Sequence, residues 1–171
     1  LTIEYSGEAA ELNTRSLTAA ALTGLLRPLL DQVNMVNAPV LARERGIEVT
    51  EIKRDRVGDY SNLIGLTLRT ERRTRSVEGS LLGGDRPRIV GIEGIKTEAQ
   101  LGPFMLYIRN QDVPGIIGYL GKTLGDAGVN IATFHLGRME AGGEAIALIK
   151  VDEDPGPEVL ATLRGLPAIR Q

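Results

Sequence analysis

The sequence of 171 residues contains no cysteine and no tryptophan. Without cysteine there is no disulfide, no zinc site built on thiolates and no thiol nucleophile. This composition is compatible with the cytoplasm, where we expect the protein to be found. The rest of the sequence has no metal-ligand spacing, no phosphate-binding loop and no nucleophile–base pair, so it predicts neither a metal site nor a catalytic one.

Aromatic residues and net charge are also scarce. Phe104, Phe134 and four tyrosines supply all the rings, which argues against a stacking surface for single-stranded nucleic acid. The net charge of -2 gives no general attraction to nucleic acid or to an anionic membrane. No apolar run approaches the ~20 residues of a membrane-spanning helix. We therefore expect neither nucleic acid nor a membrane among the partners.

What is present suits a folded protein, since 42% of the residues are hydrophobic and 25% are charged. The first residues, LTIEYSGEAA, have neither a starting methionine nor the pattern of a signal peptide. They open directly on the alternation of a strand. We expect the chain to be part of a longer protein.

The first hundred residues change from helical to strand-like periodicity. After the opening strand, one helix is predicted from Asn13 to about Pro28, with a face at residues 17, 21, 25 and 29. A second helix starts at Asn37 and ends at Gly46. From residue 47 the period becomes two, which predicts a meander of four strands: IEVTEIK, LIGLTLR, SVEGSLLG and RIVGIEG.

The joint Leu101-Gly102-Pro103 ends that pattern, and we predict a domain boundary there, with domains at 1–100 and 101–171. The second half reads strand 103–110, helix 114–128, strand 131–138, strand 144–151, a helix ending at Gly165 and a last strand 167–171. This βαββαβ order is the ferredoxin-like pattern. The sequence thus predicts the α+β class, with an antiparallel, two-helix domain followed by a ferredoxin-like one.

The helix predicted at 114–128 has two distinct faces. An apolar stripe for packing on the sheet comprises Ile116, Ile117, Leu120, Leu124 and Ala127. Three glycines, at 118, 121 and 125, share the next face. Each costs roughly 1 kcal/mol against alanine in a helix interior. They indicate either a close approach by a second copy of the domain or chance in a chain with 21 glycines.

The residues around the start of this helix suggest a ligand. Pro114 at the first helical position would leave the amides of Gly115, Ile116 and residue 117 unpaired and able to hold a carboxylate. Asp112 offers an acceptor for an ammonium group, and Asn130 an amide that both donates and accepts. The three together describe a site for a small amino acid. By spacing alone, Asp112 as a helix cap and Asn130 as a turn residue is the stronger alternative.

The run RNQDVPGIIGYLGKTLGDAGVNIATFHLGR resembles the first half of an ACT domain, a regulatory module that binds amino acids between two copies. The stretch VNMVNAPVLARERGIEV and the strands SVEGSLLG and RIVGIEG resemble the intervening domain of the long form of D-3-phosphoglycerate dehydrogenase. The resemblance implies that the chain is the C-terminal regulatory region of such an NAD-dependent oxidoreductase. In that family L-serine, the end product of the pathway, binds at the ACT interface and inhibits.

The resemblance places the serine ligands at Asn110, Asp112 and Asn130, with Gly115 and Ile116 at the helix start. Asn110 departs from the family pattern, which usually has a larger histidine or tyrosine there. The catalytic and nucleotide-binding domains of the family have no counterpart, so the chain by itself should have no activity and no NAD site. The single histidine, His135, is expected to be structural or exposed.

Residues 53–88 carry a net charge of about +4, with nine basic side chains: Lys53, Arg54, Arg56, Arg69, Arg72, Arg73, Arg75, Arg86 and Arg88. One interpretation is solvated hairpin ends that protect sheet edges. The other is an anion site, because arginine forks suit phosphate. The resemblance implies a second regulatory site in the intervening domain. Arg88 is the best candidate for it, with Lys150 from the ACT side.

Four functions are compatible with the sequence. The leading hypothesis is a serine-binding regulatory and oligomerisation region that forms homodimers or tetramers through its ACT domains. The alternatives are a purely structural oligomerisation module, an amino-acid sensor of another metabolic enzyme, or a small enzyme in its own right.

Overall fold

The computed structural model describes residues 1–55 and 58–171 of the protein, so Arg56 of the basic stretch lies outside the described residues. The chain divides into two compact units, residues 1–81 and 82–171, and each is described by itself. Both combine strands with a few helices, which confirms the predicted α+β class.

The described residues of the first unit form a mixed sheet and three helices. Its elements are β1 (Thr2–Gly7), α1 (Glu8–Glu11), α2 (Thr14–Leu26), α3 (Ala38–Glu44), β2 (Thr50–Arg54), β3 (Asn62–Arg69) and β4 (Thr74–Leu82). The strand order is β2-β1-β3-β4, with β1 parallel to β2 and antiparallel to β3. The predicted meander is therefore wrong for its first strand, because β2 lies beside β1 and not beside β3. Helix α1 was not predicted.

The core of the first unit lies where α2 packs near α3, and it comprises Leu22, Leu26, Val33, Ala38 and Ala42. The predicted face of α2 at residues 17, 21, 25 and 29 is wrong, since Leu29 is 74% exposed and the other three are only partly buried. The run LTAAALTGLL is apolar on nearly every side, so its periodicity does not single out one stripe. The end of α2 just before Pro28 is confirmed.

The second unit has a hairpin and a three-stranded sheet with two helices. Its elements are β5 (Arg86–Ile92), β6 (Ile95–Gln100), β7 (Met105–Gln111), α4 (Ile116–Asp126), β8 (Ile131–Arg138), β9 (Glu144–Val151) and α5 (Gly156–Arg164). The sheet order is β7-β9-β8, all antiparallel. The predicted last strand is reduced to one bridge, between Asn110 and Ile169. The βαββαβ order is thus present with a shortened end.

Both helices of the second unit pack on one face of this sheet. Leu120 and Leu124 of α4 are 0% exposed and join a core with Ile108, Ile149 and other apolar residues. Ile116 is buried too, so three members of the predicted stripe are confirmed. The other two were wrong. Ile117 is 50% exposed at the margin of the stripe, and residue 127 is exposed because the helix ends just before it.

Strand β6, which was not predicted, packs against β8 and β9. The approach is closest at Gly137, where an added Cβ would lie 2.5 Å from the carbonyl oxygen of Lys96. Arg109 of β7 forms ion pairs with Glu144 at 2.6 Å and with Glu93 at 3.4 Å. In the described part of the chain, no helix is both long and apolar enough to cross a membrane.

Candidate functional site

A depression of about 530 Å³ opens in the second unit where the sheet meets the start of α4. Its walls are the end of β7, the turn at 112–115, the first residues of α4 and the end of β8. Asn110 of β7 and Arg138 of β8 both pair with Ala145 of the central strand β9, so the register brings them to one end of the sheet. This volume is in the range of small-molecule sites.

Asn110 is the buried polar group of this depression, with 2% of its surface exposed. Its side-chain Nδ2 donates to the carbonyl oxygen of Gln111 at 2.9 Å, which fixes the orientation of the amide. Its Oδ1 is buried and has no hydrogen-bond partner among the described residues. A buried acceptor without a donor costs about 1–3 kcal/mol. A ligand with an N–H or O–H group at this place would remove that cost.

Asp112 supplies the negative charge of the depression. Its Oδ2 accepts hydrogen bonds from NH1 of Arg138 at 2.6 Å and from the amide of Gly142 at 3.1 Å. The hydrogen bond from Arg138, and to a smaller extent the one from Gly142, holds the pKa of Asp112 below its usual value. The carboxylate is therefore charged at neutral pH. Helix capping does not explain this residue, because the N-cap of α4 is Gly115 and no side chain caps the helix.

The start of α4 differs from the prediction. The helix begins at Ile116, so Pro114 lies in the preceding turn and not at the first helical position. Gly115 has a φ of 90°, a left-handed conformation that favours glycine. The amide of Ile116 makes a long bond to the carbonyl oxygen of Val113 at 3.4 Å, so it is not wholly unpaired as predicted. Gly115 and Ile116 both line the depression, with Asn110 and Asp112.

Asn130 is not part of this depression within one copy of the chain. It follows the far end of α4, a helix of 11 residues or roughly 16 Å. Its Nδ2 donates to Oδ2 of Asp152 at 2.6 Å. The structure therefore gathers four of the five predicted ligand residues and leaves Asn130 elsewhere.

The lining residues that were not predicted include Arg138, which forms the ion pair, and Leu136, which is 45% exposed. The alternation of residues in this strand could have indicated both of them. In the strand IATFHLGR, alternate residues share a face, so positions 136 and 138 follow Phe134 on the side of the core and the depression. His135 points the other way, is half-buried, and lies opposite Leu148.

Basic side chains within residues 53–88 make separate contacts with groups close to them. Arg54 pairs with Glu4 at 2.9 Å, and Nζ of Lys53 reaches the carbonyl oxygen of Leu12 at 3.4 Å. NH1 of Arg88 donates to the carbonyl oxygen of Pro87 at 3.0 Å, and Arg88 lies opposite Gln100. The side chain of Lys150 runs past Gly102, close to the same segment. The anion site at Arg88 and Lys150 stays a prediction.

No group of three or more histidine, aspartate or glutamate side chains that could hold a metal ion occurs within residues 1–55 and 58–171. The depression in the second unit brings together a buried acceptor without a partner among the described residues, a carboxylate, a guanidinium and the start of a helix.

Two family models match the chain. The D-3-phosphoglycerate dehydrogenase intervening domain matches residues 1–93, and the ACT domain matches residues 104–168. Among individual proteins, the chain is similar to enzymes named D-3-phosphoglycerate dehydrogenase. The one from Bacillus subtilis is 37% identical over 98% of this chain and 32% of its own length.

The corresponding protein of Methanocaldococcus jannaschii is 35% identical over 97% of this chain and 32% of its own. That of Synechocystis is 38% identical over 94% of this chain and 29% of its own. The chain thus spans about a third of the length of these relatives. It belongs to the family of D-3-phosphoglycerate dehydrogenase intervening domains and carries an ACT domain after that domain.

Proposed function

We propose that this chain is the regulatory and oligomerisation region of a D-3-phosphoglycerate dehydrogenase and that its ACT domain binds L-serine as a feedback inhibitor. The parent enzyme would oxidise 3-phosphoglycerate with NAD in domains outside this chain, in the first step of serine synthesis. The same proposal includes the cytoplasm as its location and domains at 1–100 and 101–171. The two family matches, which end at 93 and begin at 104, support that boundary.

The observation that carries the serine proposal is the unsatisfied Oδ1 of Asn110 in the same depression as the charged carboxylate of Asp112. L-Serine has an ammonium group for Asp112 and a hydroxyl group that can donate to Asn110. The asparagine fills less space than the histidine or tyrosine of related proteins, and the free acceptor supports a ligand in that space.

Asn130 would complete the site from a second copy of the chain. The ACT interface of the family lies between two copies, and Asn130 is exposed at the opposite end of α4. Gly118, Gly121 and Gly125 support such an interface, because a Cβ added to any of them would meet nothing within 4 Å. Their lack of a side chain therefore serves no packing within the described part of this chain.

Inhibition would be indirect. A ligand held between two copies binds one arrangement of the pair better than another and shifts the population toward it. The catalytic domains, joined to this region in the parent enzyme, would respond to that shift.

Calorimetry with L-serine tests the proposal. We expect saturable heat with the unaltered chain and at least a tenfold loss of affinity in Asp112→Asn, which removes the charge but keeps the size. Asp126→Asn is the matched control, because Asp126 is exposed and pairs with Lys122 on the outside of α4. Absence of heat at millimolar L-serine would refute the serine proposal but not the family.

A purely structural module is the second candidate, and the glycine face of α4 favours it. Sedimentation of Gly121→Leu separates self-association from ligand binding. If assembly is lost while L-serine still binds, the interface and the site are separate. If the unaltered chain assembles but binds no serine, the structural function stands alone.

A further inference from the structure

Arg138 has no role in any of the expectations above, although it makes the only ion pair seen at the depression in the described part of the chain. NH1 of Arg138 lies 2.6 Å from Oδ2 of Asp112, and the two side chains are 58% and 28% exposed. We propose that Arg138 is a specificity-determining residue that binds the carboxylate of an amino-acid ligand while Asp112 binds its ammonium group. This inference rests on the proposed function and names the chemistry that selects the ligand.

The charge of the depression supports a zwitterion. Asp112 and Arg138 neutralise one another, so a ligand with a net charge would leave one charge in the depression without a partner. An α-amino acid carries one charge of each sign on two groups bonded to the same carbon atom. It can lie across the ion pair and extend it to four alternating charges without adding net charge.

Both side chains have hydrogen-bonding atoms that remain available for such a ligand. Within the described part of the chain, the hydrogen bonds from Arg138 and Gly142 to the Asp112 side chain both end on Oδ2, which leaves Oδ1 to receive an ammonium group. The guanidinium of Arg138 carries five N–H donors in a planar fork, and NH1 is the atom committed to Asp112. The fork can therefore bind a carboxylate with two hydrogen bonds and still contact Asp112.

The neighbouring polar group accounts for the third point of attachment. Asn110 is 2% exposed, lines the same depression, and its Oδ1 has no partner among the described residues. Because its Nδ2 is held by the carbonyl oxygen of Gln111, this acceptor stays in place for a donor on the ligand side chain. Three different groups thus face the three functional groups of a small hydroxy amino acid.

The test compares two ligands and three variants by calorimetry on the 171-residue chain. L-Serinamide keeps the ammonium and hydroxyl groups of L-serine and lacks the carboxylate. The variants are Arg138→Met, Arg138→Lys and the control Arg164→Met, which removes the same charge from the exposed end of α5.

We expect the unaltered chain and Arg164→Met to bind L-serine at least tenfold more tightly than L-serinamide. Arg138→Met should lose most of that preference, with a tenfold or larger loss for L-serine and less than a threefold change for L-serinamide. Arg138→Lys should restore part of it.

Equal losses for both ligands in Arg138→Met would overturn the inference, because Arg138 would then act only through Asp112. Unchanged or tighter binding of L-serine would also overturn it. If the unaltered chain does not bind L-serine, the proposed function fails and this inference falls with it. Binding of L-serine without dependence on Arg138 would overturn the inference alone.

Discussion

Replacing Asn110 by leucine should raise the stability of the fold while it removes ligand binding. Leucine has a similar shape and no polar atoms. The change removes an orphaned acceptor that costs about 1–3 kcal/mol, and it loses one hydrogen bond, to Gln111, worth about 0.5–1.5 kcal/mol. The carbonyl oxygen of Gln111 can accept a hydrogen bond from water instead, because that residue is exposed. The free energy of unfolding should therefore change by roughly −0.5 to +2.5 kcal/mol, with a stabilisation of about 1 kcal/mol at the middle of that range.

Thermal and denaturant unfolding measure this change, with Asn110→Ala as the matched control. Each kcal/mol should shift Tm by about 2–4 °C for a chain of this size. The alanine variant leaves a cavity at a site that is 2% exposed and should be about 2 kcal/mol less stable than the leucine variant. A loss of more than about 1 kcal/mol in Asn110→Leu would refute the reasoning, since the amide would then be a structural group with all its partners satisfied.

Further variants test the packing and the charge of the second unit. Leu120→Ala should lower the free energy of unfolding by about 2–5 kcal/mol, because Leu120 is 0% exposed, whereas Ile117→Ala on the same helix, at 50% exposed, should cost much less; equal losses in denaturant unfolding would contradict the packing. Gly137→Ala should cost about 1–3 kcal/mol, since its Cβ would lie 2.5 Å from the carbonyl oxygen of Lys96, and a neutral result in the same assay would show that β6 does not press on β8. Effector affinity should stay level from about pH 5 to pH 8 and fall in more acidic solution, because the lowered pKa of Asp112 keeps its carboxylate charged until the pH drops below that group's ordinary range; a midpoint near neutral pH in calorimetry would assign the binding charge to another group.

The second unit was largely predictable because its elements are strongly patterned. Leu120 and Leu124 mark an amphipathic helix between two strands that alternate clearly. Strand β6 was not predicted because the turn that precedes it is unusual. Glu93 and Gly94 both have positive φ, at 51° and 81°, so they form the two-residue turn of a tight hairpin, but Glu-Gly is a weaker signal than Asn-Gly or Asp-Gly.

Part of the lining of the depression could be predicted from the sequence, but its contacts could not. Asp112 stood out by its place before Pro114 and Gly115. Its partner Arg138 lies 26 residues away and comes near only because β8 and β7 both pair with β9. Sequence spacing does not contain such a contact. The same holds for the unsatisfied Oδ1 of Asn110, which depends on burial by the surrounding fold.

The most direct test of the serine proposal is a nuclear magnetic resonance titration of the labelled chain with L-serine. We expect saturable shifts of the Asn110 side-chain amide and of the Gly115 backbone amide, both at the depression, and no comparable shift at the start of α5. D-Serine should be much weaker, since its groups cannot meet the same three partners. Shifts confined to other parts of the chain, or none at millimolar L-serine, would contradict a serine site at the start of α4.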